Sequence, residues 1–387
     1  MPSLKNKHPL SGAVRWTVPA ALCSVAMLGA WLAAPGASAA ATAASSHAGG
    51  SPAASSPQVI HSVAKVASAK SVLAYWTRAR LKAAKSVDLV VAGAKSHVLP
   101  ATGTPSGKPG DVAGGLPGGK SLAAARPGKG IALSTYPYPY PYDSFTPASG
   151  TWHNYPYRVN GKLFFTNNGS GFVCSATAVA SVNGTKNENE IWTAGHCLVN
   201  TEANNQVVDS SAIFIPAYNG NVSNFDPFGE FVWTGGWSTS TAWYNSSDLT
   251  EDESAMTVGT SSTSGKTLGK AVGWDGFAWN FPVNEQFVAF GYPAASPYNG
   301  LNLVEDIGST AGQDSMSGAD ATEPIVIGNP MTGGSSGGAW NIDWTSSNPG
   351  YINGHNDYKY SNQPLGMYSP YQDTLSNDVR CFGATSC

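Results

Sequence analysis

From about Ser144 to the C-terminus, short apolar runs rich in β-branched and aromatic residues alternate with Gly, Asn and Ser clusters, which predicts strands joined by tight turns. The runs fall at 162–166, 172–182, 191–194, 212–216, 231–234, 255–258, 272–274, 286–290, 302–304, 325–327, 339–342 and 351–353. Asn160-Gly161, Asn168-Gly169 and Asn183-Gly184 are hairpin dipeptides, because both residues of the favoured two-residue loop take positive φ. No long helical period interrupts the runs. The pattern predicts an all-β barrel or sandwich pair with ample core.

The N-terminal part reads differently. Lys5, Lys7 and Arg15 precede an apolar run at 16–34, a Pro35-Gly36 break and the small-residue site Ala37-Ser38-Ala39. This order predicts a secretory signal peptide over 1–39, so a secreted, extracellular mature protein with no membrane span. A membrane anchor is the rival, since the run is long enough to cross a bilayer; the cleavage site favours the signal. Residues 40–143 form a low-complexity, largely disordered and partly helical pro-region or linker. Within it, 59–91 carries Val63, Val66, Val72, Leu73, Trp76 and Leu81 at near-helical spacing among Lys and Arg, which predicts one or two basic amphipathic helices. Tyr136-Pro137-Tyr138-Pro139-Tyr140-Pro141-Tyr142 predicts an extended spacer.

Charge sharpens this division. Residues 1–150 carry 14 Lys/Arg against three acids, and 151–387 carry 7 against 21. A C-terminal part without a basic surface is a poor nucleic-acid binder. The opposed charges suggest that the pro-segment docks on the acidic domain as an intramolecular inhibitor, in a salt-sensitive way. Once Cys23 leaves with the signal peptide, Cys174, Cys197, Cys381 and Cys387 remain; they allow three disulfide connectivities. No C-x-x-C pair is present, so neither a metal nor a cofactor is expected.

Two motifs carry chemistry. Trp192-Thr193-Ala194-Gly195-His196-Cys197 places one of the three histidines of the acidic part, with His153 and His355 elsewhere. Thr332-Gly333-Gly334-Ser335-Ser336-Gly337-Gly338 sets two serines among glycines that let the backbone turn sharply and aim N–H groups at a reacting carbonyl.

With these strings the sequence resembles the chymotrypsin-like serine peptidases: Thr193–Cys197 matches their histidine motif and Gly334–Gly338 their Gly-x-Ser-Gly-Gly motif. Within them it is most similar to secreted actinobacterial peptidases akin to glutamyl endopeptidases, through 331–338 and Phe290-Gly291-Tyr292-Pro293-Ala294. The resemblance covers about 150–375. It implies two six-stranded antiparallel β-barrels, at about 150–265 and 266–387 of a domain spanning 144–387. It also implies a catalytic set His196, Asp252 and Ser336 acting on protein or peptide substrates, and an oxyanion hole at Gly334 and Ser336. Asp252 is selected by Asp252-Glu253-Ser254-Ala255 and the apolar residues after it; Asp248 and Glu253 remain alternatives. The disulfide implied is Cys174–Cys197, with Cys381–Cys387 as the remaining pair.

The chain departs from the family pattern at Ser335, where pancreatic relatives have an activating aspartate, and at Ala339, usually proline. Pro330 replaces the pocket aspartate of the trypsin pattern, which disfavours Arg/Lys specificity. Pro330, Thr332 and His355 are the expected pocket residues, with His355 suited to an acidic side chain. Two rivals stand beside the peptidase. An α/β-hydrolase needs the order Ser, acid, His, but only 51 residues follow Ser336, with His355 just 19 residues on, and no βαβ pattern is visible. A catalytically weak or inactive peptidase-fold binding or adhesion protein is the alternative function.

Overall fold

The computed structural model describes residues 14–16, 58–93, 105, 107–122, 136–181, 189–316, 318–319 and 322–382. Most of the expected signal peptide, Asn183-Gly184 and Cys387 lie outside them. The basic stretch is not helical throughout. It is a β-α-α-β unit of β1 (Val59–Val63), α1 (Ala69–Tyr75), α2 (Arg78–Ala83) and β2 (Lys85–Val91). Helical spacing is confined to its middle, where Ser68 and Thr77 cap the two helices through side-chain oxygens that accept N–H groups. Its ends are β-branched and join neighbouring sheets. The apolar stripe Val72, Trp76 and Leu81 packs on Phe164, Ile213, Ile215 and Tyr218. Among the described residues none of Lys65, Lys70, Arg78, Arg80, Lys82 or Lys85 pairs with an acid; Arg78 lies over the Phe225 ring, 4.9 Å from its centroid. Apolar burial, not charge, seats this segment. The tyrosine-proline run is part of the fold rather than a spacer: Tyr140 is buried, and Tyr142–Phe145 pairs with a strand of the second barrel.

The first barrel comprises β3 (Asn160–Asn167), β4 (Ser170–Ala178), β5 (Glu190–Thr193), β6 (Ile213–Pro216), β7 (Phe231–Ser240) and β8 (Ser254–Val258). The antiparallel order β3-β4-β5-β8-β7-β6 closes back onto β3. Asn168 and Gly169 have φ of 50° and 73° and make the β3–β4 hairpin, as the dipeptide predicts. Asn160-Gly161 is no turn; it begins β3, where the bare glycine lets the Phe214 ring close on the backbone.

The second barrel comprises β9 (Gln286–Gly291), β10 (Val304–Gln313), β11 (Ile325–Gly328), β12 (Ala339–Ile342), β13 (Tyr351–His355), its continuation β14 (Tyr358–Tyr360), and β15 (Gly366–Ser369). The ladders run β15-β11-β10-β9-β12-β13. The seam to β15 is closed by Asp357 N–H donating to the Tyr368 carbonyl at 3.1 Å and His355 N–H donating to Ser369 Oγ at 2.9 Å. The 272–274 run is not a strand: a helical turn at Leu268–Val272 ends at Gly273, whose φ of 85° redirects the chain.

A core of Trp192 and Ala255 from the first barrel and Phe277, Ala339 and Ile352 from the second joins the barrels. Trp192 is fully buried, with its ring 4.9 Å from Phe277 and 6.1 Å from His355. Trp192→Ala should cost about 3–5 kcal/mol, a Trp-to-Ala loss with no room to collapse. Urea unfolding would read this as a lower midpoint at unchanged slope.

Candidate active site

The site lies between the barrels. Thr193 and Ser254 are paired across β5 and β8, so the residues just beyond them converge. His196 sits in the 3-10 turn Gly195–Cys197, and Asp252 stands two residues before β8 begins at Ser254. Asp252 Oδ2 lies 2.8 Å from His196 Nδ1, and Oδ1 accepts the His196 N–H at 2.7 Å. A Cβ on Gly195 would meet Asp252 Oδ1 at 2.6 Å, so a glycine at this position is what lets the carboxylate approach. The Cys174–Cys197 disulfide ties the turn to β4. Asp248 faces away: its carboxylate accepts the N–H groups of Thr250 and Ala319. The Glu253 carbonyl accepts the Thr239 hydroxyl at 2.6 Å.

Ser336 stands in the loop between β11 and β12, shaped by Gly334 and Gly337 at φ of 96° and 80°. The missing side chain of Gly337 lets this loop press against Thr193 and Ser175. Ser175 N–H donates to the Ser336 carbonyl at 2.8 Å, which also lies 3.7 Å from Cys197 Sγ. The loop is thus seated against the histidine turn. Ser335 turns its hydroxyl onto the Thr332 carbonyl at 2.9 Å. Among the described residues His196 Nε2 has no hydrogen-bond partner, so the serine–histidine bond is not made in this state.

The cleft is filled by β2. It runs parallel to β4 at Lys85↔Phe172 and Ser86↔Val173, then parallel to β14 at Leu89↔Tyr358, Val90↔Lys359 and Val91↔Tyr360. Between these two ladders Gly334 N–H donates to the Val87 carbonyl at 2.8 Å. A peptide carbonyl therefore rests on the backbone donor that the sequence assigns to the oxyanion hole.

The expected pocket residues are not all brought together. Thr332 lines a cavity of about 840 Å³ with Ser86, Asp88, Lys162 and Lys359. His355 is not on its wall: it is buried, with Nε2 3.0 Å from the Asp252 carbonyl, and burial pushes it down to about 4 against the pull of Asp252. Its alternation along β13 turns it inward, which corrects the reading of His355 as a pocket cation. Pro330 is also absent from that wall. Two residues that sequence reasoning missed stand nearby. Lys359 Nζ donates to the Asn329 and Pro364 carbonyls, each at 2.7 Å; burial pushes it down to about 7, while Asp88 and Asp306 oppose that shift. Asp357 Oδ1 lies 3.2 Å from His196 Nδ1. Neither belongs to a motif; Lys359 lies on β14 and Asp357 in the link between β13 and β14.

His196, Asp252 and Asp357 group within 4.8 Å. Nδ1 is already engaged by Asp252, which makes the trio a hydrogen-bonding cluster. Burial disfavours the imidazolium, but the Asp252 charge opposes this and raises His196 above its ordinary value. The Cys381–Cys387 pairing involves a residue outside those described. No helix among the described residues is long and apolar enough to cross a membrane.

No protein-family model and no curated protein matches the chain. Solved structures do. The protease Anisep from Arthrobacter nicotinovorans is 32% identical over 59% of this chain and 96% of its own, with a TM-score of 0.50. The thermostable serine protease AL20 from an extremophilic microorganism is 31% identical over 59% and 98%, also at 0.50. A Glu endopeptidase solved with MPD is 18% identical over 61% and 94%, at 0.44.

Proposed function

We propose, given that the chain belongs to the chymotrypsin-like serine peptidases, that it is a secreted serine endopeptidase working through His196, Asp252 and Ser336. The observation that carries this reading is the Val87 carbonyl on the Gly334 N–H, beside Ser336 and the histidine turn. A carbonyl so placed is polarised where negative charge would develop. In the reaction Ser336 Oγ attacks that carbon while His196 Nε2 takes the hydroxyl proton, and His196 then returns it to the leaving nitrogen. Asp252, bonded to both Nδ1 and the backbone N–H of His196, holds the ring and offsets its charge. Gly334 and Ser336 N–H groups receive the oxyanion, each such donor being worth about 3 kcal/mol of barrier. Water completes the cycle by the same steps in reverse roles. The test is a fluorophosphonate probe on the processed protein with peptide mapping: label on Ser336 supports the reading. A folded, processed protein that takes no label supports the binding-protein alternative instead.

At P1 the reading is an acidic side chain. Thr332 and Lys359 line one cavity beside the serine loop, where a hydroxyl and a cation could receive a carboxylate. Lys359→Met should lower the preference for Glu over Leu at P1 by about 10- to 100-fold, the worth of one charge-assisted hydrogen bond. Unchanged selectivity in a peptide-library profile would remove Lys359 from the pocket. The segment 58–93 is read as the inhibitory pro-segment, since β2 occupies the cleft.

A further inference from the structure

Asp357 has no place in a three-residue mechanism, yet it lies against the same imidazole nitrogen as Asp252. Its side chain is fully buried, and its Oδ1 is 3.2 Å from His196 Nδ1, while Asp252 Oδ2 is at 2.8 Å. Neither carboxylate oxygen of Asp357 has a hydrogen bond from any other described group. Two carboxylates on one nitrogen, all buried within 4.8 Å, repel each other strongly if both are charged. A single Nδ1–H cannot satisfy both.

We propose that Asp357 is a positioning residue of this site: a buried carboxylic acid that shares one proton with Asp252 and acts on His196 through it. The inference rests on the peptidase reading above. As a proton donor to Asp252, Asp357 tempers the negative charge facing His196, and the imidazole then gives up its proton at lower pH than beside two bare carboxylates. Burial first, and the Asp252 charge next, push Asp357 well above the ordinary carboxylate range, in line with this role. The other ionisable groups packed on the cluster are few. His355 from β13 meets the Asp252 carbonyl and is held neutral. Tyr358 from β14 gives its hydroxyl to Asp314 at 2.7 Å. Glu251 and Glu253 flank Asp252 and are buried, and Asp88 on β2 faces Lys359.

The proposal makes the donor, not the charge, the essential feature of position 357. Asp357→Asn keeps an N–H donor without charge; Asp357→Ala removes the donor. The test is the pH profile of kcat/KM for the processed enzyme and both variants, with fluorophosphonate labelling of Ser336 measured in parallel. The acid limb of Asp357→Asn should coincide with the parent, and that of Asp357→Ala should move up by about one pH unit, the scale of one lost hydrogen bond to a charged group. An acid limb that falls by a unit or more in Asp357→Asn would mean that Asp357 is charged in the native enzyme, and would overturn the proposal. Parent-like limbs in both variants would overturn it too, by making Asp357 a spectator. If Asp357→Ala fails to fold, the Asn variant alone still decides between neutral and charged. A parent protein that takes no label on Ser336 defeats the peptidase reading itself, which keeps the two failures distinct.

Discussion

Ser336→Ala should lower kcat by about a million-fold while leaving the fold intact, because the loop is held by the Ser336 carbonyl rather than by its hydroxyl. His196→Ala should cost about as much, and the double variant little more, since the two side chains act as one unit. Asp252→Asn should cost about four orders of magnitude, as an amide holds the imidazole in the wrong tautomer. Asp248→Asn is the control: that carboxylate caps a turn and binds the Ala319 N–H, so its loss should change the unfolding midpoint and not the rate. Steady-state hydrolysis of a peptide library, followed by active-site titration, separates these outcomes. Equal losses at positions 248 and 252 would refute the assignment of the acid.

The second large effect concerns β2. Leu89 and Val87 are buried on docking, and Gly334 N–H is occupied by the Val87 carbonyl. In the uncut chain Ser336 should therefore label slowly with a fluorophosphonate. Leu89→Ala removes about 2 kcal/mol or more of buried contact, so labelling of the uncut chain should rise by about 30-fold or more. Leu89→Glu should release the cleft further, because an unpaired buried carboxylate costs more than a cavity. The charge split alone suggests a salt-sensitive contact, but among the described residues the docked cations are not ion-paired and the interface is Val72, Trp76 and Leu81 on aromatic and aliphatic side chains. Raising ionic strength should accordingly leave the slow labelling nearly unchanged, as screening acts on exposed charges and not on apolar burial. A steep rise in labelling with salt would return the role to electrostatics.

Several features were legible in the chain because they are local. Asn168-Gly169 carries its own turn geometry, and the hairpin forms there. The strings around His196 and Ser336 hold backbone shape and reactive group together, so both could be picked out without a fold. The resemblance selects Asp252, and Asp248 and Glu253 stay open beside it, since a one-residue shift on a strand turns a side chain to the other face. Register then separates them in space: Thr193 opposite Ser254 carries Asp252 to the imidazole and leaves Asp248 at a turn. His355 illustrates the converse, a residue of suitable type in a suitable place whose strand alternation aims it at the Asp252 carbonyl. Asp357 and Lys359 carry no motif, because what defines them is convergence with residues distant in sequence. The direction of β2 is of the same kind. Composition and spacing determined that 59–91 is an amphipathic, basic segment; only the packing of two barrels created the cleft whose exposed strand edges it joins, and hydrogen bonds across such edges depend on neighbours in space, not along the chain.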